Sequence, residues 1–488
     1  MKKLVLGLLS AAMVLGTAGF SFARQNLSQF SSYGYYRAAV SFVNNFGFDE
    51  DRKSDDHMIY QRVRQYFEYS ANENLTAQVA YEIDNGWGWD GGHFGNDAAA
   101  GKDDGFDGIE IKRAQLNFNW PNTEVYIQAG LAGYTTPGSP MGTPVLGGDM
   151  PGVFINAPIN DMVSVTFGYV RSDDEYRIND GDSDDSPTSG DSLDAFVASV
   201  PLTYEGFNLT PFGVYASIGE SVMNNNEYGE YFDNWCSQMG TIAGEAIGSG
   251  VYEDDVDAYW VGMPFGINLL DPLSINGQFI YGAVDAGQSM LDREGYFFDL
   301  SVDYAMDLFT PSLYFYYSSG EDDDTDDGSE TFPILWNDGY YYPPAGAALG
   351  FNTMYGFGDG DYCYAQYVPH GVWSLGFALK DIQFIDKLSH TFAIAYSQGT
   401  NDEDAFTEVL SNGKTAAEMD DGDYRFTKLT TEDESIEMTF YNYYQIYENL
   451  KAVLELDYAT LDMDEDVWRD DYKDDDVYRC TFGLSYDF

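Results

Sequence analysis

Most side chains in this sequence that could carry chemistry are carboxylates. The 488 residues include 81 Asp and Glu, only 23 Lys and Arg, and four His, with a formal net charge of −58. Paired carboxylates can act as general acid and base, but at this density such pairs are expected from composition alone. The histidines lack a metal-ligand spacing such as His-x-x-x-His, and no motif places a nucleophile beside a base. The sequence therefore predicts no catalytic residue, no metal centre and no cofactor.

The basic residues are more informative because they cluster early in the chain. Arg37, Arg62, Arg64 and Arg113 precede a long stretch, from 178 to 292, that contains no Lys or Arg. Their role would be electrostatic, because guanidinium groups attract anions and, when they face acidic side chains, create an electric field between the two sets of charges. A nucleic-acid partner is excluded, because phosphate contacts need basic patches and this chain is strongly acidic.

Short segments with period-two alternation must position these side chains. Around Arg113, the residues Gln115 and Asn117 alternate with Leu116 and Phe118, and segments 76–83, 163–169, 373–379 and 392–396 alternate in the same way. Successive side chains of a strand point to opposite faces, so one face would meet lipid and the other water. A charge facing lipid at mid-bilayer would cost about 2–4 kcal/mol. The four arginines are therefore predicted to face inward.

Between these segments, the acids are concentrated in polar connections. Clusters at 173–191, 321–327, 418–423 and 462–476 fall in long connections that alternate with short ones. This plan predicts an all-β fold, a transmembrane antiparallel β-barrel of 16–18 strands with short periplasmic turns and long acidic external loops. A barrel of that width encloses an aqueous channel. The stretch 323–328 fails the calcium-loop spacing at Thr325, so we interpret the clusters as solvated charge. Divalent cations bridging them to lipopolysaccharide phosphates are the alternative.

The two ends of the chain indicate export and membrane assembly. Lys2 and Lys3 precede an apolar run, and Ser21-Phe22-Ala23 has the small-x-small pattern of a cleavage site. This predicts a signal peptide over 1–23 and a barrel domain over 24–488. In the last strand, one face carries the alternate residues Phe488, Tyr486, Leu484 and Phe482. This ending resembles the signature that the barrel-assembly machinery reads in outer-membrane proteins.

Together these features resemble the Gram-negative general porins, and the whole of 24–488 looks most similar to the homotrimeric porins of sulfate-reducing bacteria. In general porins the third external loop folds into the barrel and carries a Pro-Glu-Phe-Gly-Gly-Asp motif at its tip. The third long loop here contains Pro144, Gly147, Gly148 and Asp149 at matching positions, without the Glu. The resemblance implies that Asp149 faces a basic wall, which here would be Arg37, Arg62, Arg64 and Arg113. It also implies a homotrimer in contact with outer-membrane lipid and lipopolysaccharide.

The sequence thus predicts an outer-membrane channel for passive diffusion of small hydrophilic solutes and ions. Acidic loops would concentrate cations at the mouth, whereas the arginines favour anions, and the balance leans slightly to cations. Two other interpretations stay open. One is a substrate-specific channel, for instance for sugars, with Trp336 and Tyr340-Tyr341-Tyr342 as candidate contacts. The other is a structural envelope barrel without transport. A Cys236–Cys363 disulfide between external loops also stays open.

Overall fold

The computed structural model describes most of the chain beyond residue 27. The described residues are 28–45, 56–86, 109–174, 192–224, 241–242, 244, 251–325, 327–337, 341–346, 371–419, 429–468 and 475–488. The predicted signal peptide, Cys236 and Cys363 lie outside them. In the described part of the chain, no helix is long and apolar enough to cross a membrane.

The fold is a single antiparallel sheet that closes on itself. The first spanning strands are β1 (Gln29–Asn44), β2 (Asp56–Asn72), β3 (Leu75–Gly86), β4 (Glu110–Asn119), β5 (Tyr126–Thr135), β6 (Leu146–Asn160) and β7 (Val163–Asp174). The next three have two parts each: β8 (Ser192–Ser199, Leu202–Tyr204), β9 (Phe207–Leu209, Phe212–Ile218) and β10 (Val256–Gly262, Phe265–Leu270). The last are β11 (Leu273–Asp285), β12 (Arg293–Tyr304), β13 (Thr310–Ser318), β14 (Val372–Ile385), β15 (Leu388–Gly399), β16 (Glu434–Tyr447), β17 (Leu450–Asp462) and β18 (Asp475–Asp487). β1 pairs with β18, which closes the barrel.

Three prolines explain why the sequence left the strand count open. The sheet contains 22 strand segments, but β8, β9 and β10 are each interrupted at a proline: Pro201, Pro211 and Pro264. Proline has no N–H to donate to the ladder, so each strand splits without leaving the wall. One further segment, Trp336–Asn337, pairs in parallel with Leu146–Gly147 and is not part of the wall. The barrel therefore has 18 spanning strands, the upper end of the predicted range.

The predicted orientation of the strands is confirmed. Phe482, Leu484, Tyr486 and Phe488 lie on the outer face with 51%, 39%, 40% and 44% of their surface exposed. Backbone groups in a bilayer must be satisfied internally, which only helices and closed barrels achieve. A closed barrel with an apolar exterior, short turns at the end that holds both termini and long loops at the other is the outer-membrane architecture. The chain is therefore an outer-membrane protein.

Two arcs of the interior wall differ in character, and β16 to β18 between them add buried charged residues that include Glu455, Asp457 and Arg479. In the polar arc, β1 to β5, the side chains that point inward are mostly polar: charged groups, amides, hydroxyls and tyrosines. In the filled arc, β7 to β15, most inward positions are apolar and buried, including Val197, Val214, Ala258, Trp260 and Phe297. These residues form one hydrophobic cluster with side chains from two loop segments inside the barrel. Part of the lumen is therefore occupied by protein.

Candidate constriction site

A hairpin leaves the barrel wall between β4 and β7. The β4–β5 ladder ends at the Ala114–Leu131 pair, and the β6–β7 ladder starts at Gly152–Val170. Beyond these points β5 and β6 leave their neighbours in the wall and pair with each other as far as Thr135–Gly147. We call residues 132–150 the inner hairpin.

The inner hairpin crosses the lumen. Met141, Val145 and Met150 are at most 5% exposed and join the hydrophobic cluster inside the barrel. The Ser139 hydroxyl donates to Asp299 Oδ2 on β12 at 2.9 Å. Because Asp299 lies on the inward face of a strand well around the barrel from β5, this contact spans the interior. The third external loop thus folds into the barrel.

A second loop region, residues 331–337 and 341–346, holds the hairpin in place, and we call it the inner segment. Its Leu335 N–H donates to the hairpin carbonyl of Val145 at 3.1 Å. Trp260 Nε1 on β10 donates to Pro333 O at 2.8 Å. Arg293 Nε, fully buried at the start of β12, donates to the first carbonyl of the segment at 2.7 Å. These contacts tie the inner segment to the filled arc.

Opposite the filled arc, Glu82 on β3 is the centre of a charged network. Its carboxylate lies 2.5 Å from Arg64 Nε, 3.4 Å from Lys112 Nζ and 3.7 Å from Arg62 Nε. The Glu82 side chain is only 3% exposed, whereas its three partners are each about a fifth exposed. The cations therefore retain access to the lumen while the acid behind them is covered.

The inner hairpin extends this network with Asp149. Asp149 pairs with Gly133 and follows the opposite phase from the buried Met150. Its carboxylate accepts a hydrogen bond from Arg113 Nη1 and lies 3.9 Å from Lys112 Nζ. A Cβ at Gly133 would displace the Arg113 guanidinium, so glycine here leaves room for the Arg113–Asp149 pair. Asp149 and the basic wall meet, as the sequence resemblance implies.

Lys112 is a site residue that the alternation did not reveal. Strict alternation places it on the opposite face from Arg113. A β-bulge between the Ala80–Arg113 and Tyr81–Ile111 pairs inserts one extra residue into β4. Bulges re-aim side chains in this way, and both Lys112 and Arg113 contact Asp149. Sequence spacing carries no signal for this insertion.

Arg37 lies beside the network on β1. It pairs directly with Arg62 across the ladder. Its guanidinium carbon is 4.3 Å from the centroid of the Tyr35 ring, a cation–π distance. All four predicted arginines thus lie on one stretch of wall.

The loop motif itself is placed differently from expectation. Gly147 and Gly148 are in β6, paired with Thr135 and Tyr134, so the motif does not form the tip of the loop. Pro144 lies just before this strand. The tip is a tight turn closed by the hydrogen bond from Gly142 N to Ser139 O at 2.9 Å. Asp149 reaches the lumen because the whole hairpin turns inward.

Other candidate positions lie outside the constriction. Tyr341 is 1% exposed in the hydrophobic cluster, whereas Tyr342 is 53% exposed; Tyr340 and the Trp336 side chain lie outside the described residues. In the external loop after β13, the carboxylates of Asp322, Asp327 and Glu330 lie within 4.8 Å of one another. Such exposed acidic groups are common in proteins without a bound ion.

Comparison with known proteins gives distant structural similarity only. No protein-family model and no curated protein matches the sequence. Among solved structures, Pseudomonas aeruginosa OccK11 (OpdR) is 11% identical with a TM-score of 0.49, covering 94% of this chain and 96% of that chain. Acinetobacter baumannii OccAB1 is 10% identical with a TM-score of 0.48, covering 96% and 100%. The outer membrane channel DcaP of Acinetobacter baumannii is 12% identical with a TM-score of 0.41, covering 96% and 99%. Similarity this distant carries no argument about activity, and it does not confirm the likeness to the porins of sulfate-reducing bacteria.

Proposed function

We propose that this protein is an outer-membrane porin that lets small hydrophilic solutes and ions diffuse through a narrowed, water-filled lumen. The inner hairpin carries this proposal, because it places Asp149 inside the barrel against Arg113 and Lys112. Acid and base on either side of a narrow passage order water in a transverse field, which disfavours apolar solutes.

We infer that the constriction prefers anions. Five cations, those of Arg37, Arg62, Arg64, Lys112 and Arg113, border it, against three inward carboxylates, those of Glu82, Asp149 and Glu110, the last of which forms an ion pair with Lys112. Strict alternation assigns Lys112 to the other face. Its inward position adds a positive charge to the constriction and opposes the slight cation preference expected from the sequence. The acidic loops still attract cations at the mouth, but screening over about 8–10 Å limits their effect deeper in the pore.

A substrate-specific channel is the second candidate. The filled arc supports it, because a lumen partly occupied by the inner hairpin and the inner segment has less free cross-section than an open barrel of 18 strands. A structural barrel without transport is the third interpretation. The two transporting alternatives differ in whether flux saturates with one class of solute.

Liposome swelling tests the proposal directly. Proteoliposomes containing the purified protein should swell in isotonic solutions of small polar solutes, with a rate that falls steeply as solute size grows. Arg293→Met, which removes the anchor of the inner segment, should raise the size limit. Liposomes that do not swell with any solute, while the protein migrates as a folded barrel, would contradict a diffusion channel.

We also propose the assembly expected from the sequence: a homotrimer, inserted by the barrel-assembly machinery and surrounded by lipopolysaccharide. The homotrimer is proposed from the resemblance to general porins alone, because the polar Gln61 and Gln65 on the outer phase of β2 have hydrogen-bond partners within the same chain. Gln61 is 7% exposed, and Gln65 Nε2 donates to Ser32 Oγ at 2.9 Å. Unboiled protein should migrate on gels as a heat-labile trimer, and a Phe488 deletion should slow assembly.

A further inference from the structure

Beneath the charged network, the inward side chains of the polar arc are mostly amides and tyrosines, with the Glu68 carboxylate of β2 among them. The inward positions of β1 to β5 nearer the periplasmic turns carry these side chains: Tyr33, Tyr66, Gln78, Gln115, Asn117, Tyr126 and Gln128. Gln78 lies four residues below Glu82 on the same strand. At about 3.3 Å per residue, the two are separated by roughly 13 Å along the barrel. We call this lower surface the amide–tyrosine track.

The amides of the track form one hydrogen-bonded ladder across neighbouring strands. Gln128 Nε2 donates to Gln115 Oε1 at 3.2 Å, and Gln115 Nε2 donates to Gln78 Oε1 at 3.2 Å. Gln78 Nε2 in turn donates to the Tyr33 hydroxyl at 2.9 Å. Each amide uses one donor and at most one acceptor site in this chain. The remaining N–H and C=O positions give the surface both donors and acceptors, and the Glu68 carboxylate, opposite Gln78 in the ladder, is a further acceptor.

Exposed rings complete the track. Tyr33 and Tyr126 are 42% and 40% exposed although they face inward. The Tyr33 ring stacks on Tyr66 with centroids 5.1 Å apart and planes 6° from parallel. Inward-facing aromatic residues of the filled arc are different, because Trp260 and Tyr316 are at most 1% exposed and pack in the hydrophobic cluster. The rings of the track are accessible to a solute.

We propose that the amide–tyrosine track is a binding surface for neutral polyhydroxylated solutes such as sugars. This inference rests on the proposed channel function and names the class of solute that the lower lumen would favour. A sugar ring offers a C–H face that packs on tyrosine and hydroxyls that both donate and accept. Glu68 would repel an anionic solute, whereas sugar hydroxyls can donate to its carboxylate and can both donate to and accept from the amides. The charged network above the track orders water and admits the solute. The track then lowers the free energy of the solute below the constriction.

Planar-bilayer recording with sucrose as the probe tests this assignment. Sucrose should reduce the salt current through the wild-type protein in a saturable manner, whereas tetraethylene glycol at equal concentration should not saturate. The double variant Tyr33→Leu/Tyr126→Leu should weaken the apparent sucrose affinity about tenfold, and Gln115→Leu about threefold. Tyr259→Leu/Tyr281→Leu, which changes two lipid-facing tyrosines of similar exposure, is the matched control and should leave the affinity unchanged.

The outcomes separate this inference from the function on which it rests. A wild-type protein that conducts salt in steps but shows no saturable sucrose block overturns the track alone. Equal loss of affinity in the lumen variant and in the lipid-facing control also overturns it. A correctly folded wild-type protein without any conductance overturns both. Heat-modifiable gel mobility of each variant shows that a lost block does not reflect a misfolded barrel.

Discussion

Glu82→Gln gives the sharpest view of how the charged network sets ion preference. Glutamine keeps the size of the side chain but removes the negative charge that lies within 3.7 Å of Arg62, Arg64 and Lys112. The three cations then act on the lumen without their covered counter-charge. The variant should therefore be more anion-selective than the wild type.

The size of this effect follows from simple electrostatics. An ion in the passage, roughly 8 Å from the Glu82 carboxylate, interacts with it by about 0.5 kcal/mol in water. Screening at 0.1 M salt reduces this by about half. Loss of the carboxylate destabilises a cation in the passage and stabilises an anion by the same amount. The difference between the two ions therefore changes by about 0.5 kcal/mol, which is roughly a twofold change in the anion-to-cation permeability ratio. A lumen less polarisable than bulk water would enlarge the change.

Reversal potentials in a potassium chloride gradient measure this ratio. The shift should be towards chloride and should shrink as the ionic strength is raised. Glu124→Gln, an equal loss of charge in an exposed periplasmic turn, is the control and should have no comparable effect. An unchanged ratio in Glu82→Gln, or a shift towards potassium, would refute the placement of this network along the ion path. The variant should also be about 1–3 kcal/mol less stable, because Arg64 loses its charged hydrogen-bond acceptor and Arg62 and Lys112 lose a nearby counter-charge.

Three further predictions concern the loops and their anchors. The buried Asp433 carboxylate accepts hydrogen bonds from Trp468 Nε1 at 2.8 Å and from two backbone N–H groups. Asp433→Ala should therefore lower the local stability of the external loops by about 1–3 kcal/mol. Faster limited proteolysis of the folded barrel would show this loss. Arg293→Met should release the inner segment, so single-channel conductance and its noise should both rise, and unchanged conductance would show that the segment does not narrow the path. Burial and the neighbouring Asp322 and Glu321 raise the pKa of Glu330 from 4.5 to about 7. The folded loop therefore binds this proton more tightly than the open loop does. The stability of the folded loop is greatest below about pH 4.5 and declines until the pH passes 7. Proteolysis of this loop should be faster at pH 8 than at pH 5.5, except in Glu330→Gln.

The strand plan could be predicted because it depends on local alternation. The inward phase of Arg37, Arg62, Arg64 and Arg113 follows from one rule, that side chains in a strand alternate between faces, and the ladders keep that rule over most of the wall. The strand count was harder, since Pro201, Pro211 and Pro264 divide strands that remain continuous in space. A proline signals a broken ladder but does not say whether the strand resumes.

The parts of the site that were missed depend on contacts between distant residues. The bulge that turns Lys112 inward is set by how β3 and β4 pair, not by the sequence of β4 alone. The inner segment has no periodic pattern and is fixed by Trp260 and Arg293 from other strands. One signal was present: β9 carries Val214, Ala216 and Ile218 on its inward phase. An apolar inward face indicates that something packs against it.

Single-channel recording of the wild type beside Arg62→Ala/Arg64→Ala tests the central claim most directly. The wild type should show stepwise conductance. The variant should conduct at least as well but be less selective for anions, because two cations have left the constriction. A folded wild-type protein that shows no conductance steps, or a variant whose ion selectivity equals that of the wild type, would contradict the central claim.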